Sequence, residues 1–177
     1  MAEIQTAHTG ELDPAILAAA RALMEEVFTE GLDEHDWEHA LGGIHALAWE
    51  NGVLVGHASL IQRRLLHQGR ALRTGYVEAV GVRASARRRG HGGAMMAALE
   101  RLIRGGYDLG ALGATDQAAA FYAGRGWKVW QGPTSALTLD GIKRTAAEDG
   151  GVYVLPAAAP LDLAGELTCD WRDGDLW

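Results

Sequence analysis

A glycine- and arginine-rich segment between a strand pattern and a helix pattern is the feature that most constrains this chain. Residues 74–82, T-G-Y-V-E-A-V-G-V, alternate as a strand does, and A-M-M-A-A-L-E-R-L-I-R from Ala94 has the period of an amphipathic helix. The residues between them are R-A-S-A-R-R-R-G-H-G-G. Free backbone N–H groups at a helix start, with glycines and arginines beside them, form an anion site. The segment therefore predicts an anion-binding loop, although a βα turn that binds nothing has the same pattern.

Composition limits the possible classes of protein. A chain of 177 residues with 48% hydrophobic residues is expected to form one globular domain over residues 1–177. The net charge of −7 argues against nucleic acid as a partner and favours a cationic small molecule. No apolar run is long enough to span a membrane. The N-terminus lacks the pattern of a signal peptide, and Cys169 is the only cysteine, so we expect a cytoplasmic protein without an intramolecular disulfide.

Strand and helix patterns alternate along the whole chain. A strand is predicted at 3–9, a helix from the Asp13-Pro14 start to about residue 29, and a short helix within 30–41. The turn pairs Asn51-Gly52 and Gln68-Gly69 join three antiparallel strands predicted at 44–49, 53–63 and 72–83. A helix to about residue 104, ended by Gly105-Gly106, is followed by a strand at 107–112, a helix at 116–125 and a strand at 127–130. This order predicts a mixed α/β (α+β) architecture.

Two motifs resemble those of the GNAT acetyltransferases. The spacing Arg87-x-x-Gly90-x-Gly92 is similar to their pyrophosphate-binding signature, and A-x-x-F-Y-x-x-x-G-W, from Ala118 to Trp127, is similar to their second motif. The resemblance implies the GNAT fold, with a mixed, mostly antiparallel central sheet that is splayed at the cofactor site and has helices on both faces. It also implies acetyl-CoA as the co-substrate and no metal.

Across nearly its full length the chain resembles the aminoglycoside 2′-N-acetyltransferases. The matching blocks include D-W-E-H-x-L-G-G-x-H-A-L, G-Y-V-E, Y-x-L-G-A-L and C-D-W-R-x-G-D-x-W. The loop R-R-R-G-H-G-G is closer to the general GNAT pattern than to the mycobacterial version. The resemblance implies that the acceptor is an aminoglycoside or similar polycationic amino sugar. It also implies a homodimer, and an acceptor site completed by the C-terminal ~40 residues.

The resemblance assigns cofactor contacts to the strand end and the loop. The backbone of Val80 and Val82 would hold the pantetheine arm, and the Val80 N–H would polarise the acetyl carbonyl. Both valines are also compatible with a plain core strand. The full set of expected contacts is Val80, Gly81, Val82, Arg87, Arg88, Arg89, Gly90, His91 and Gly92.

Two residues are candidates for the proton transfers. Glu78 stands two residues before Val80, so a strand period of two places both on one face. A carboxylate within Y-V-E-A-V is costly unless it is paired or faces a site, and it would act as base directly or through water. Tyr122 matches the GNAT tyrosine that protonates the leaving thiolate, although a helical Phe-Tyr pair is more often part of a core.

Binding a polycationic acceptor requires several carboxylates. The segments that the resemblance assigns to the acceptor site carry Asp36, Glu78, Gly113, Glu148, Asp149, Asp175 and Trp177. Gly113 would contribute backbone only, and the Trp177 α-carboxylate would add a further negative charge. The Trp177 indole is expected either to stack on a sugar face or to fill a hydrophobic hole. Arg63 is expected to solvate a strand end.

Three other interpretations remain open from the sequence. His35 and His39 have the i, i+4 spacing of helical metal ligands, but the order H-D-W-E-H is not H-E-x-x-H and no third ligand is evident. A binding protein that senses acetyl-CoA without catalysis would retain the loop. A GNAT enzyme acting on a protein N-terminus or on another small amine would retain the loop and the second motif.

Overall fold

The computed structural model describes residues 3–177 and contains ten strands and four α-helices in that range. In chain order they are β1 (Glu3–His8), α1 (Pro14–Val27), α2 (Glu34–His39), β2 (Ile44–Glu50), β3 (Val53–His67), β4 (Arg70–Val82), α3 (His91–Gly106), β5 (Leu109–Gly113), α4 (Ala119–Ala123), β6 (Lys128–Val129), β7 (Thr134–Thr138), β8 (Gly141–Arg144), β9 (Val152–Pro156) and β10 (Leu167–Cys169). No helix among these residues is long and apolar enough to cross a membrane.

The chain forms two compact units. The first unit contains the residues up to Ile61 together with Val77–Leu102, and the second contains Gln62–Tyr76 and Ile103–Trp177. Strands β3 and β4 and helix α3 therefore contribute residues to both units. One domain over residues 1–177 stays a prediction.

The first unit is built on an antiparallel ladder of β1, β2 and β3. β1 pairs with β2 from Glu3↔Trp49 to His8↔Ile44, and β2 pairs in turn with β3. Asn51 (φ 52°) and Gly52 (φ 75°) are both left-handed, which is the geometry that the predicted tight hairpin requires. The Asp13 side chain accepts a hydrogen bond from the Ala15 N–H and caps α1, as predicted. The core of this unit contains Leu12, Ala20, Leu23, Met24, Trp37, Ala40, Leu47 and Leu54.

The second unit carries a mixed sheet with the strand order β6-β9-β5-β4-β3-β10-β7-β8. β4 pairs with β5 in parallel over Thr74 to Tyr76, and β10 pairs with β7 in parallel, whereas β5 with β9, β6 with β9, β3 with β10 and β7 with β8 are antiparallel. The predicted mixed, mostly antiparallel α+β fold is confirmed. Its core contains Leu65, Leu72, Tyr76, Leu109, Ala111, Trp130, Ala136, Val152, Val154, Ala159, Leu167, Cys169 and Trp177.

Some predicted boundaries were wrong. Helix α3 ends at the predicted glycine pair but includes Gly105 and Gly106, so it is two residues longer than predicted. The helix predicted at 116–125 is a 3-10 turn at Asp116–Ala118 followed by the five residues of α4. The strand predicted at 127–130 is reduced to Lys128 and Val129, which pair with β9. β3 extends four residues beyond 63, because its end pairs with β10, which lies about 100 residues away in the chain and was not predicted.

Gly43, just before β2, provides a test of the packing in the first unit. A β-carbon at this position would lie 2.1 Å from the main-chain oxygen of Leu60. Gly43→Ala is expected to lower the free energy of unfolding by about 1–3 kcal/mol, because backbone must move to relieve the overlap. In the control Gly105→Ala, no atom lies within 4 Å of the new β-carbon, and stability should stay equal or rise by about 0.5–1 kcal/mol. Urea unfolding measures both variants, and equal losses would contradict the structure.

Candidate active site

The predicted anion loop has the backbone geometry that close approach of a ligand requires. Arg88 (φ 60°) and Gly90 (φ 87°) both have left-handed backbones, and no atom lies within 4 Å of the position of a β-carbon on Gly90. The loop leads directly into α3 at His91. The N–H groups of the first helical turn have no acceptor within the helix and point out of its N-terminal end, where a ligand can accept from them. This part of the chain therefore fits a pyrophosphate group through its main chain.

Several side chains of the loop are already engaged within the first unit. The Arg87 Nε donates to the Val82 carbonyl at 3.1 Å, and an Nη of Arg89 donates to both carboxylate oxygens of Glu50 at 3.0 Å. The His91 ring is only 3% exposed and lies 3.9 Å from Glu50. His91 and Gly92 therefore offer main-chain N–H groups to a ligand, whereas the exposed Arg88 offers a side chain.

The end of β4 departs from a regular strand. Ala79, between Glu78 and Val80, has φ 48°, which is a left-handed conformation that an alanine seldom adopts. Burial does not alternate at this end of β4, since residues 74–77 are all buried and Glu78, Ala79 and Val80 are all half-buried. A left-handed residue interrupts the regular period of two, and the placement of Glu78 and Val80 on one face stays a prediction.

Gly81 has a packing role that its predicted contact with the cofactor did not include. A β-carbon on Gly81 would lie 2.6 Å from Met24 Cε and 3.1 Å from Val27 Cγ1 of helix α1. The absence of a side chain therefore lets α1 lie close to the end of β4. Val82, next to it, is half-buried.

Tyr122, the predicted acid, lies on α4 in the second unit and is 6% exposed. Its ring packs against Trp127 and Tyr153, with centroids 6.0 Å and 6.3 Å away. Burial raises the pKa of Tyr122 to about 12. The phenol therefore holds its proton throughout the neutral range, as a proton donor to a thiolate must.

Cys169 is the residue whose thiol could carry the acetyl group as a covalent intermediate. It is the only cysteine and is fully buried in the core of the second unit. Burial raises the pKa of its thiol to about 11. A buried thiol that is protonated at neutral pH is a poor nucleophile, so Cys169 is not suited to carry an acetyl group.

Two of the predicted acceptor carboxylates, Glu148 and Asp175, interact electrostatically. The pKa of Glu148 is raised, first by burial and then by the negative charge of Asp175. Asp175 is itself exposed, and its Oδ1 accepts the Trp177 N–H at 3.2 Å. A pair of like charges favours a cation near it. Gly113 belongs to the same region, since a β-carbon there would lie 3.7 Å from the Trp177 main-chain carbon.

Two other predicted acceptor carboxylates have partners within the chain. Asp149 pairs with Arg144 and accepts hydrogen bonds from the Thr134 N–H and hydroxyl at 3.0 and 2.9 Å. The Arg144 guanidinium holds the pKa of the Asp149 carboxyl well below its usual range. Asp36 accepts the Asp33 N–H at 3.0 Å as part of the capping box of α2. Both carboxylates have structural roles, and their part in acceptor binding stays a prediction.

The Trp177 indole is part of the core of the second unit. It is 5% exposed, and its Nε1–H donates to the Thr145 hydroxyl at 2.9 Å. Burial of the indole in the core favours the packing alternative, and stacking on a sugar face stays a prediction. The main-chain oxygen of Trp177 accepts from Arg172 Nη2 at 3.0 Å.

Arg63, which was expected to solvate a strand end, instead holds the C-terminal segment in place. It is 4% exposed, and its Nε donates to Asp170 Oδ1 at 2.8 Å while its Nη2 donates to the Leu176 carbonyl at 2.8 Å. Its guanidinium lies 4.6 Å from the centre of the Tyr76 ring, and that of Arg172 lies 5.5 Å from the same ring. The sequence carried no signal for these contacts, because they join residues about 100 positions apart.

No metal centre accompanies these groups. Among residues 3–177 no cluster of three or more His, Cys, Asp and Glu residues has the geometry to hold a metal ion. His35 lies 3.7 Å from Glu38 on α2.

Trp177 and Trp171 give a matched test of whether the Trp177 indole stabilises the core of the second unit. Trp177→Ala should lower the free energy of unfolding by about 3–5 kcal/mol, because it empties a buried site. Trp171→Ala should cost less than about 1 kcal/mol, because Trp171 is 46% exposed. Thermal and urea unfolding measure both losses. A stable Trp177→Ala variant with a raised KM for the acceptor alone would show that the indole contacts the sugar after all.

Comparison with known proteins identifies the family. The chain matches the acetyltransferase (GNAT) domain model over residues 3–130. It is 49% identical over 174 residues to an aminoglycoside 2′-N-acetyltransferase of Mycolicibacterium fortuitum, and the match covers 96% of this chain and 89% of the relative.

Solved structures show the same fold at lower identity. Eis1 from Mycobacterium abscessus superposes with a TM-score of 0.62 at 21% identity, over 76% of this chain and 33% of Eis1, so the chain spans about a third of that protein. A GNAT family acetyltransferase from Brucella melitensis, solved in complex with acetyl-CoA, superposes with a TM-score of 0.61 at 18% identity, over 93% of this chain and 94% of the other. The loop geometry, the mixed sheet and the match over residues 3–130 agree, and the chain belongs to the GNAT family of N-acetyltransferases.

Proposed function

We propose that this protein transfers the acetyl group of acetyl-CoA to the 2′-amino group of aminoglycosides. The observation that carries the proposal is the 49% identity, over 96% of the chain, to a relative with that named activity. The neighbouring carboxylates Glu148 and Asp175 support a cationic acceptor. The net charge of −7 acts in the same direction, since a negative protein attracts polycations.

The reaction is a direct transfer in which one bond forms and one breaks. The amine nitrogen, once deprotonated, attacks the thioester carbonyl carbon, and the C–S bond breaks as the amide C–N bond forms. Glu78 accepts the proton of the amine, directly or through water. Tyr122 gives its proton to the leaving thiolate, and its buried, protonated state suits that role. Cys169 carries no acetyl group in this scheme, because its thiol is buried and protonated.

Acetyl-CoA binds through the main chain of the loop and the end of β4. The first-turn N–H groups of α3 and the open backbone at Gly90 bind the pyrophosphate, assisted by the exposed Arg88. The backbone of Val80 and Val82 holds the pantetheine arm, and the Val80 N–H polarises the acetyl carbonyl. The left-handed residue at Ala79 supports this role, since a bulge removes backbone groups from regular pairing.

The acceptor binds at the C-terminal part of the chain. Glu148 and Asp175 pair with its ammonium groups, and Gly113 contributes backbone only. Arg63 and Arg172, by holding the main chain at Leu176 and Trp177, keep Asp175 in position for this contact. Asp149, through its hydrogen bond with Thr134, and Asp36, as part of the helix cap, stabilise the segments that contain them.

The resemblance and one apolar surface support a proposal for the assembly. We propose a cytoplasmic homodimer. The hairpin of β7 and β8 lies at the end of the strand order and exposes 85% of Leu139 and 59% of Ile142, which is apolar area that a second copy would cover. Acetylation of antibiotics in the cytoplasm would confer resistance.

Kanamycin B and kanamycin A are a matched pair of acceptors, because they differ only in a 2′-amino or a 2′-hydroxyl group. Purified protein with acetyl-CoA is expected to release thiol with kanamycin B and to release none above background with kanamycin A. Thiol release measured with a colorimetric reagent gives kcat and KM. Release with a peptide N-terminus but with neither sugar would indicate a GNAT enzyme with another acceptor. Binding of acetyl-CoA without release for any amine would indicate a binding protein.

Glu78→Gln and Tyr122→Phe test the proton transfers separately. Each should lower kcat by about 10²-fold, as expected for the loss of one acid–base group. The acidic limb of the kcat profile should disappear in Glu78→Gln. Because the pKa of Tyr122 is about 12, its phenol stays protonated and should produce no basic limb below about pH 10. Both variants should keep the wild-type affinity for CoA in calorimetry, and wild-type rates in both would refute the assigned roles.

A further inference from the structure

The left-handed backbone of Ala79 is a strained feature in a functionally important strand. A non-glycine residue held at positive φ is strained and persists only where the surroundings enforce it. Ala79 has φ 48° and lies between the proposed base, Glu78, and the proposed donor to the acetyl carbonyl, Val80. Whatever holds Ala79 in this conformation therefore sets the spacing of those two groups.

A buried histidine from the neighbouring strand contacts this residue directly. His57 of β3 is 0% exposed, and its Nδ1 lies 2.9 Å from the Ala79 carbonyl oxygen. Trp37 covers the ring, with centroids 5.6 Å apart. The left-handed residue therefore has a buried side chain of the neighbouring strand as a hydrogen-bond partner for its carbonyl.

A second buried histidine continues this chain of hydrogen bonds, and the Ala79 carbonyl fixes the direction of each bond. A carbonyl oxygen can only accept, so His57 Nδ1 carries the proton and its Nε2 accepts in the neutral ring. His45 Nδ1 lies 2.8 Å from that Nε2 and donates to it. His45 Nε2 then accepts from the Thr9 hydroxyl at 2.8 Å, which is a shorter contact than the 3.3 Å from that hydroxyl to the Gly43 carbonyl. The Thr9 oxygen accepts the Gly42 N–H at 2.8 Å. Burial lowers the pKa of both rings to about 4, so the neutral forms that this chain requires prevail at neutral pH.

We propose that His57, oriented by His45, is a positioning residue for acetyl transfer. Its hydrogen bond to the Ala79 carbonyl holds the bulge in β4 and thereby the relative placement of the Glu78 carboxylate and the Val80 N–H. The inference rests on the proposed function, because it assumes that those two groups act on the substrates. His57 itself contacts neither substrate, and the hydrogen-bond chain ends on a carbonyl that accepts no proton, so its role is geometric.

Asparagine and leucine at position 57 give a matched pair of variants. The two side chains have nearly the same shape, and the asparagine amide nitrogen takes the place of Nδ1 and keeps a donor for the Ala79 carbonyl, whereas leucine has none. We expect His57→Leu to lower kcat by at least about 10-fold, because sub-ångström misplacement of reacting groups is costly, and His57→Asn to stay within about 3-fold of wild type. The dissociation constant for CoA should change little in either, since the loop holds the pyrophosphate.

Assays are run well below the measured Tm of each variant, so that lost stability does not enter kcat. A purely structural role would lower the Tm in both variants and leave their kcat values equal, and equal values would overturn the inference. An inactive wild-type protein that binds CoA would instead refute the proposed function, and this inference with it.

The wild-type protein provides an independent test that does not depend on the folding of a variant. Nitrogen-15 NMR of histidine distinguishes the two neutral tautomers. At pH 7 we expect His57 and His45 both in the Nδ1–H form. An Nε2–H tautomer at His57 would leave no donor for the Ala79 carbonyl and would overturn the inference.

Discussion

The hydrogen bond between a buried imidazole and the Ala79 carbonyl holds the functional strand in a shape that a regular sheet does not allow. A regular strand alternates its side chains and pairs its backbone, so it leaves no main-chain group for a ligand. A left-handed residue interrupts both regularities at once. In this chain the bulge lies between Glu78 and Val80, and the His45–His57 pair is the part of the first unit that keeps it in place. The cofactor loop and α3 follow directly from that strand.

Charged groups in the second unit divide into those that hold the fold and those that remain for a ligand. Arg63 and Arg144 neutralise Asp170 and Asp149, and in doing so they fix the C-terminal segment and the turn after β8. Glu148 has no such partner among residues 3–177, and its pKa is raised by burial and then by the negative charge of Asp175. A carboxylate with an arginine partner stabilises the fold, and we propose that Glu148 and Asp175 instead bind an ammonium group of the acceptor.

Local signals predicted much of the fold. The Asp13-Pro14 start of α1, the Asn51-Gly52 hairpin and the loop before α3 all occur as predicted, because a cap, a left-handed turn and a helix start each depend on adjacent residues. Strand β10 was missed, and β3 was predicted too short, since both are defined by pairing across about 100 residues of sequence. The left-handed backbone of Ala79 was missed for a related reason. A positive φ at an alanine has no composition signal, and the histidine that contacts its carbonyl lies on another strand.

The sequence by itself determined the family, the glycine loop and the candidate acid and base, because these depend on residue types at fixed short spacings. Only the tertiary structure decided how each group is used. It placed the Trp177 indole in the core and engaged Asp149 with Arg144, although the sequence allowed both residues to face an acceptor. It also gave Arg63 and His57 their roles as supports. The physical reason is that burial and long-range pairing depend on which distant residues the fold brings into contact, and no local pattern encodes them.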